Sequence, residues 1–182
     1  NAQREYTRGE VVVDDLGRAT VIFQDSDKLL YETTSNGGAW TAQARLETSA
    51  IEDRNRRLAV DPDGRVWLAW DAFNASNEYV LQLRHRAAGG VWSSVESVIA
   101  STDGADALFA TGPGGRMLAS YNAPDPAAPN APYAVLAREY IVGTGWTAAA
   151  RVSPATSDAR NRLLAYDRAG SAVAVWDDVL NC

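Results

Sequence analysis

The residues best equipped for chemistry recur as two copies of one polar cluster. Arg54-Asn55-Arg56 precedes Asp71, and Arg160-Asn161-Arg162 precedes Asp177. Guanidinium groups supply planar multi-donor forks, Asn both donates and accepts, and carboxylates accept. Gathered at one mouth, such groups would bind a sugar or an acidic ligand through several hydrogen bonds. Gln24 and Asn122 hold matching places elsewhere in the chain, and Asn122 joins the candidate ligand-binding set. The competing expectation is structural: Arg56 with Asp71 and Arg162 with Asp177 tie neighbouring units together. Ion-pair networks of that kind are the commoner outcome. Trp40, Trp92 and Trp146 could stack on sugar rings, but large aromatics dominate cores, so burial is favoured for them.

Other chemistry finds less support. His85 is the only histidine, with no cysteine near it, so no metal site is expected. No Gly-x-Ser-x-Gly accompanies it, and no catalytic residue or cofactor is expected. Asp61-Pro62-Asp63-Gly64 lacks the later ligands of a calcium loop and reads as a turn. Asn74-Ala75-Ser76 is a glycosylation sequon, which marks that loop as exposed. Cys182 is the only cysteine, so an internal disulfide is excluded. It is either an incidental thiol or one half of a bridge, to another chain (an intermolecular disulfide) or to a missing continuation of this one. The net charge of −6 argues against nucleic acid as a partner. No apolar run approaches the roughly 18 residues that a membrane span needs. The start, Asn1-Ala2-Gln3, has no Met and no signal core, so a mature or excised piece of a longer chain is expected.

The elements that must position these residues repeat. A turn ending in Gly recurs at Gly17, Gly64, Gly115 and Gly170, with spacings of 47, 51 and 55. Asp bonds its own backbone in such turns, and Gly accepts positive φ. Short β-like runs flank each turn. An aromatic closes the second run each time (Phe23, Trp70, Tyr121, Trp176), and Gln24, Asp71, Asn122 or Asp177 follows it. A second hairpin ends on Trp40, Trp92 or Trp146, which are 52 and 54 residues apart. Arg54 to Asp71 aligns without a gap onto Arg160 to Asp177, with nine of eighteen positions identical, which indicates duplication.

Four short strands per repeat, without helical periodicity, make a β-propeller the expected all-β fold. The blades are placed at 8–50, 54–100 and 104–153, with a half blade at 158–182, about three and a half in all. A half blade leaves an open sheet edge. Pairing by Asn1 to Thr7, a partner chain completing a seven-bladed ring, or a further segment would each close it. The last two are favoured, since seven residues cannot supply two strands. Strand alternation puts the Asp-Gly and Gly-Trp turns on one face, as short structural connections. The opposite face receives the long polar loops and the Arg–Asn–Arg clusters, where function is expected.

Thr33-Thr34-Ser35-Asn36-Gly37-Gly38-Ala39-Trp40 resembles the Asp-box, Ser/Thr-x-Asp-x-Gly-x-x-Trp, of sialidase-like propellers, with Ser35 at the Asp position. The later copies keep Gly89 and Trp92, and Gly143 and Trp146, but depart further. The chain thus resembles bacterial sialidase-like or lectin-type propeller repeat proteins. In that family the Asp-box is a structural turn remote from catalysis. The resemblance implies a secreted, cell-surface or periplasmic, non-enzymatic module that binds a glycan. A scaffold for other proteins or for its own copies is the second expectation, and a fragment of a sialidase-like glycoside hydrolase the third. No Arg-Ile-Pro start motif of the sialidases is present.

Overall fold

A computed structural model of the chain describes residues 6–46, 54–73, 79–101, 107–123, 133–154 and 158–178. These residues form four antiparallel sheets and no helix. The first sheet runs in chain order through β1 (Tyr6–Val13), β2 (Ala19–Asp25), β3 (Leu30–Ser35) and β4 (Ala44–Arg45). The second holds β5 (Arg54–Val60), β6 (Val66–Phe73), β7 (Tyr79–Arg86) and β8 (Glu96–Ser101). The third holds β9 (Leu108–Gly112), β10 (Arg116–Ala123) and β11 (Ala134–Ile141). Two short strands, β12 (Gly145–Trp146) and β13 (Ala150–Arg151), share the outer edge of β11. The fourth pairs β14 (Ala159–Tyr166) with β15 (Ala172–Asp178). Tyr6 and Thr7 already belong to β1, so they are not a closing strand for the fourth sheet.

The turns form for local reasons. Asp14 Oδ1 accepts the amides of Leu16 and Arg18, and Asp61 Oδ1 those of Asp63 and Arg65. Asp167 Oδ1 accepts the Ser171 amide. A carboxylate two and four residues upstream thus replaces the ladder where the chain reverses. The third turn has Gly112 at this place. A Cβ there would lie 3.0 Å from the Tyr166 ring, so the ring of the fourth sheet occupies the space an Asp would need.

The first strands of successive sheets lie side by side, β1 against β5, β5 against β9 and β9 against β14. Alternation along each second strand then divides its residues between two neighbours. Val66, Leu68 and Trp70 of β6 face the first sheet, where Leu68 and Trp70 close a cluster with Ile22 and Leu30. Trp67 and Ala69 face the third and pack with Leu83, Met117 and Tyr140. Each sheet therefore has an incoming face, toward its predecessor, and an outgoing face. Trp70 and Tyr121 are incoming, while Asp71 and Asn122 are outgoing. The apolar runs without clean alternation reflect burial on both faces.

Polar contacts also cross the seams. Glu10 of β1 accepts from Arg56 Nε at 3.1 Å and from the Leu58 amide at 2.8 Å, both on β5. Between the second and third sheets, Asp63 accepts the Gly114 amide. Between the third and fourth, the Tyr166 hydroxyl donates to Glu139, 2.5 Å away.

Candidate functional site

The expected polar set falls into two groups. In the fourth sheet, Arg160 lies opposite Asp177 in register, and Arg162 Nε bonds Asp177 Oδ2 at 2.5 Å, with both side chains more than half exposed. The Arg160 guanidinium lies over the Tyr133 ring at 4.3 Å. In the second sheet, Arg54 lies opposite Asp71 in register. Arg56, its guanidinium buried, donates across the seam to Glu10, which sequence reasoning did not single out. Its position on the outgoing face was the available signal. A bulge breaks the register at Arg54/Arg57 and another at Asn161/Leu163, in matching places of the duplicated segments. Bulges re-aim side chains, so both Arg–Asn–Arg runs owe their shared local shape to one extra residue. Asp71 is buried, and Asn122 is half-buried opposite Val135. Asn74 to Ser76, Asp125 to Pro132 and Cys182 lie outside the described residues.

The three hairpin tryptophans diverge. Trp92 packs against the first seam, with the Arg86 guanidinium 5.0 Å from its ring. Trp146 meets Tyr140 edge-on at 5.3 Å. Trp40 remains 53% exposed. Ser35, at the Asp place of the Asp-box-like turn, donates to the Gly38 carbonyl at 3.0 Å and so holds that turn.

His85 lies in the second seam, against Trp67 and Tyr140. Arg65 stands 3.3 Å from Nδ1, and the Tyr140 hydroxyl 3.4 Å from Nε2 and 3.2 Å from Glu96. Burial, then the Arg65 cation, lowers the His85 pKa below 6.5, against the opposing pull of Glu96 and Asp61. The folded protein therefore favours the neutral ring. Its contribution to stability is complete above the unfolded value and is lost as pH falls below 6.5 through the lowered folded value. We expect urea midpoints to fall between about pH 7 and pH 5 with a slope that His85→Gln reduces.

A cavity of about 230 Å³ opens between the first two sheets, among the turns rather than at the Arg–Asp end. Sequence reasoning regarded these turns as purely structural. Val12, Val60 and Val66 give it an apolar wall, and Thr20, Thr34 and Asn36 a polar one. Two guanidinium groups enter it, each paired with a carboxylate. Arg18 meets Asp14 at 2.6 Å; Arg86 meets Glu32 at 2.7 Å and donates to Thr20 Oγ1 at 2.9 Å. Burial works to raise the Asp14 pKa, but the Arg18 guanidinium and the turn amides hold it below 3.8. Gly64 closes the rim at φ +76°, and a Cβ there would stand 3.1 Å from Arg18. Among the described residues, Arg86 Nε in the lining has no hydrogen-bond partner, nor has Trp92 Nε1 in the adjoining seam. Among the described residues, no cluster of His, Cys, Asp and Glu is arranged to hold a metal.

No protein-family model matches the chain, and no curated protein sequence does. Among solved structures, a Hadza microbial sialidase is similar over 85% of this chain, with a TM-score of 0.54 and 15% identity. The match covers 35% of that protein, so the chain spans about a third of it. At that identity the likeness concerns the fold: an all-β, sialidase-like succession of antiparallel sheets.

Proposed function

We propose that the chain is a segment of a secreted or surface β-propeller that binds a glycan without transforming it, each sheet being one blade. The neighbouring first strands and the sialidase likeness support the architecture. The cavity between the first two sheets carries the binding half of the proposal. Its volume lies below the roughly 300–1,000 Å³ of drug-sized sites, which suits a single sugar ring. A pyranose presents hydroxyl pairs and one C–H face, and this cavity offers both counterparts. Arg18, Arg86, Thr20 and Asn36 supply donors and acceptors, and the valines an apolar surface. Because each guanidinium already faces a carboxylate, a neutral sugar fits the charge balance better than an acidic one.

Neutral and sialylated glycan arrays test this. Wild-type protein should bind neutral glycans. Thr34→Val should weaken binding and Arg86→Met should cost at least about tenfold, the loss expected when a charged hydrogen-bond donor is removed. Unfolding curves of both variants separate lost binding from lost folding. No retention on any glycan would refute the binding function. The sialidase neighbour favours a second function, a portion of a glycoside hydrolase. Release of fluorophore from a sialoside by the wild-type chain would establish that alternative and overturn the non-enzymatic one.

A further inference from the structure

We propose that the uncovered outgoing face of the fourth sheet docks on the uncovered incoming face of the first sheet in a second copy of the chain. Three junctions inside the chain obey one rule, outgoing face onto incoming face. Leu58 and Val60 of β5 occupy incoming places, as do Phe109 and Thr111 of β9 and Leu164 and Tyr166 of β14. Their packing follows from those places. Leu58 joins the first-seam cluster, and Phe109 joins the second. Thr111 donates to the Val60 carbonyl, and Tyr166 covers Gly112. In the first sheet the same two places belong to Val11 and Val13, which are 61% and 57% exposed.

The opposite end shows the complement. Leu163 pairs with Val175 across β14 and β15, and Ala165 with Val173. Leu163, Val173 and Val175 are 50%, 56% and 45% exposed. Their counterparts in the first sheet are Glu10, Thr20 and Ile22, all on the face that the second sheet covers. The described residues thus expose one outgoing and one incoming face, each with an apolar, valine-rich patch. The charged contact of the first junction, Glu10 with Arg56 and the Leu58 amide, becomes Leu163 against Gly9 and Val11. An unpaired charge is thereby avoided. Two such junctions related by a two-fold axis close a ring. The described strands of both fourth sheets are the same inner pair, β14 and β15, so they do not complement each other within one blade. Counted over the described residues, four sheets from each copy make a ring of eight.

Sedimentation velocity over a wide concentration range tests this. The wild-type chain should sediment as a dimer. Val175→Glu and Val11→Lys should each halve the mass while circular dichroism stays unchanged. Mixing the two variants should restore the dimer through one repaired junction, in which the introduced carboxylate faces the introduced ammonium. A wild-type monomer at every concentration overturns the proposal, as does a dimer that survives both substitutions. An open chain of copies overturns the closed ring. Sugar binding within one chain's first seam is independent of these outcomes.

Discussion

Trp67→Ala should lower the free energy of unfolding by about 3–5 kcal/mol, the usual cost of truncating a buried aromatic. The indole is 1% exposed and fills the seam between the second and third sheets. Its ring lies 6.0 Å from Tyr140, edge-on, and 5.1 Å from His85. Its Nε1 donates to Asp61 Oδ2 at 2.9 Å, joining the core to the turn that Asp61 organises. Removing it opens a void between two sheets that are also held together by the Gly114 amide on Asp63 and the Thr111 hydroxyl on the Val60 carbonyl, so collapse is limited. Trp67→Phe should cost less, keeping a ring but leaving that Asp61 oxygen without the indole donor. Trp40→Ala, on a side chain 53% exposed, should stay within about 0.5 kcal/mol. Urea titration followed by far-ultraviolet dichroism compares the three. Equal losses for Trp67→Ala and Trp40→Ala would contradict the assignment of the seam as the core.

Gly112→Asp should destabilise the protein by about 1–3 kcal/mol, although it restores the residue found in the other three turns. The added Cβ would meet three Tyr166 ring atoms at 3.0 to 3.1 Å. The ring cannot swing away freely, because its hydroxyl donates to Glu139, which Arg116 also holds at 3.1 Å. Burial first, then the Glu139 hydrogen bond, raises the Tyr166 pKa, consistent with a phenol kept protonated in place. Gly112→Ala should show the same sign. Tyr166→Ala should cost stability alone, yet make Gly112→Asp nearly neutral in the double variant. A stabilising Gly112→Asp would contradict the packing of the third seam.

Strands and turns were legible in the sequence because their causes are local: Asp caps its own turn amides, and Gly takes positive φ at Gly17, Gly64 and Gly170. The recurrence of aromatic then polar residues located the ends of the second strands, and alternation gives them opposite faces. The substitution of Gly112 for Asp was visible but not explicable, since its cause lies 54 residues later in Tyr166. The same limit applies to the site. The cavity joins Thr20 to Arg86, 66 residues apart, and no spacing rule connects them. Arg56 and Arg162 align in sequence, yet one crosses a seam to Glu10 while the other bonds Asp177 within its own sheet. The outgoing place that holds Glu10 before β5 holds Leu108 before β14, so only the first Arg finds a carboxylate there.

The claim that the first seam is the binding site is tested most directly by amide chemical-shift perturbation. ¹⁵N-labelled protein would be titrated separately with galactose, N-acetylglucosamine and N-acetylneuraminic acid. Saturable shifts with a neutral sugar should centre on Gly64, Gly89 and Gly90 at the rim, and the Trp92 indole signal should follow through the Arg86 guanidinium 5.0 Å from its ring. Arg86→Met should remove those shifts. Perturbations centred on Asp71 and Asp177, or no saturable shifts with any of the three sugars, would contradict the account.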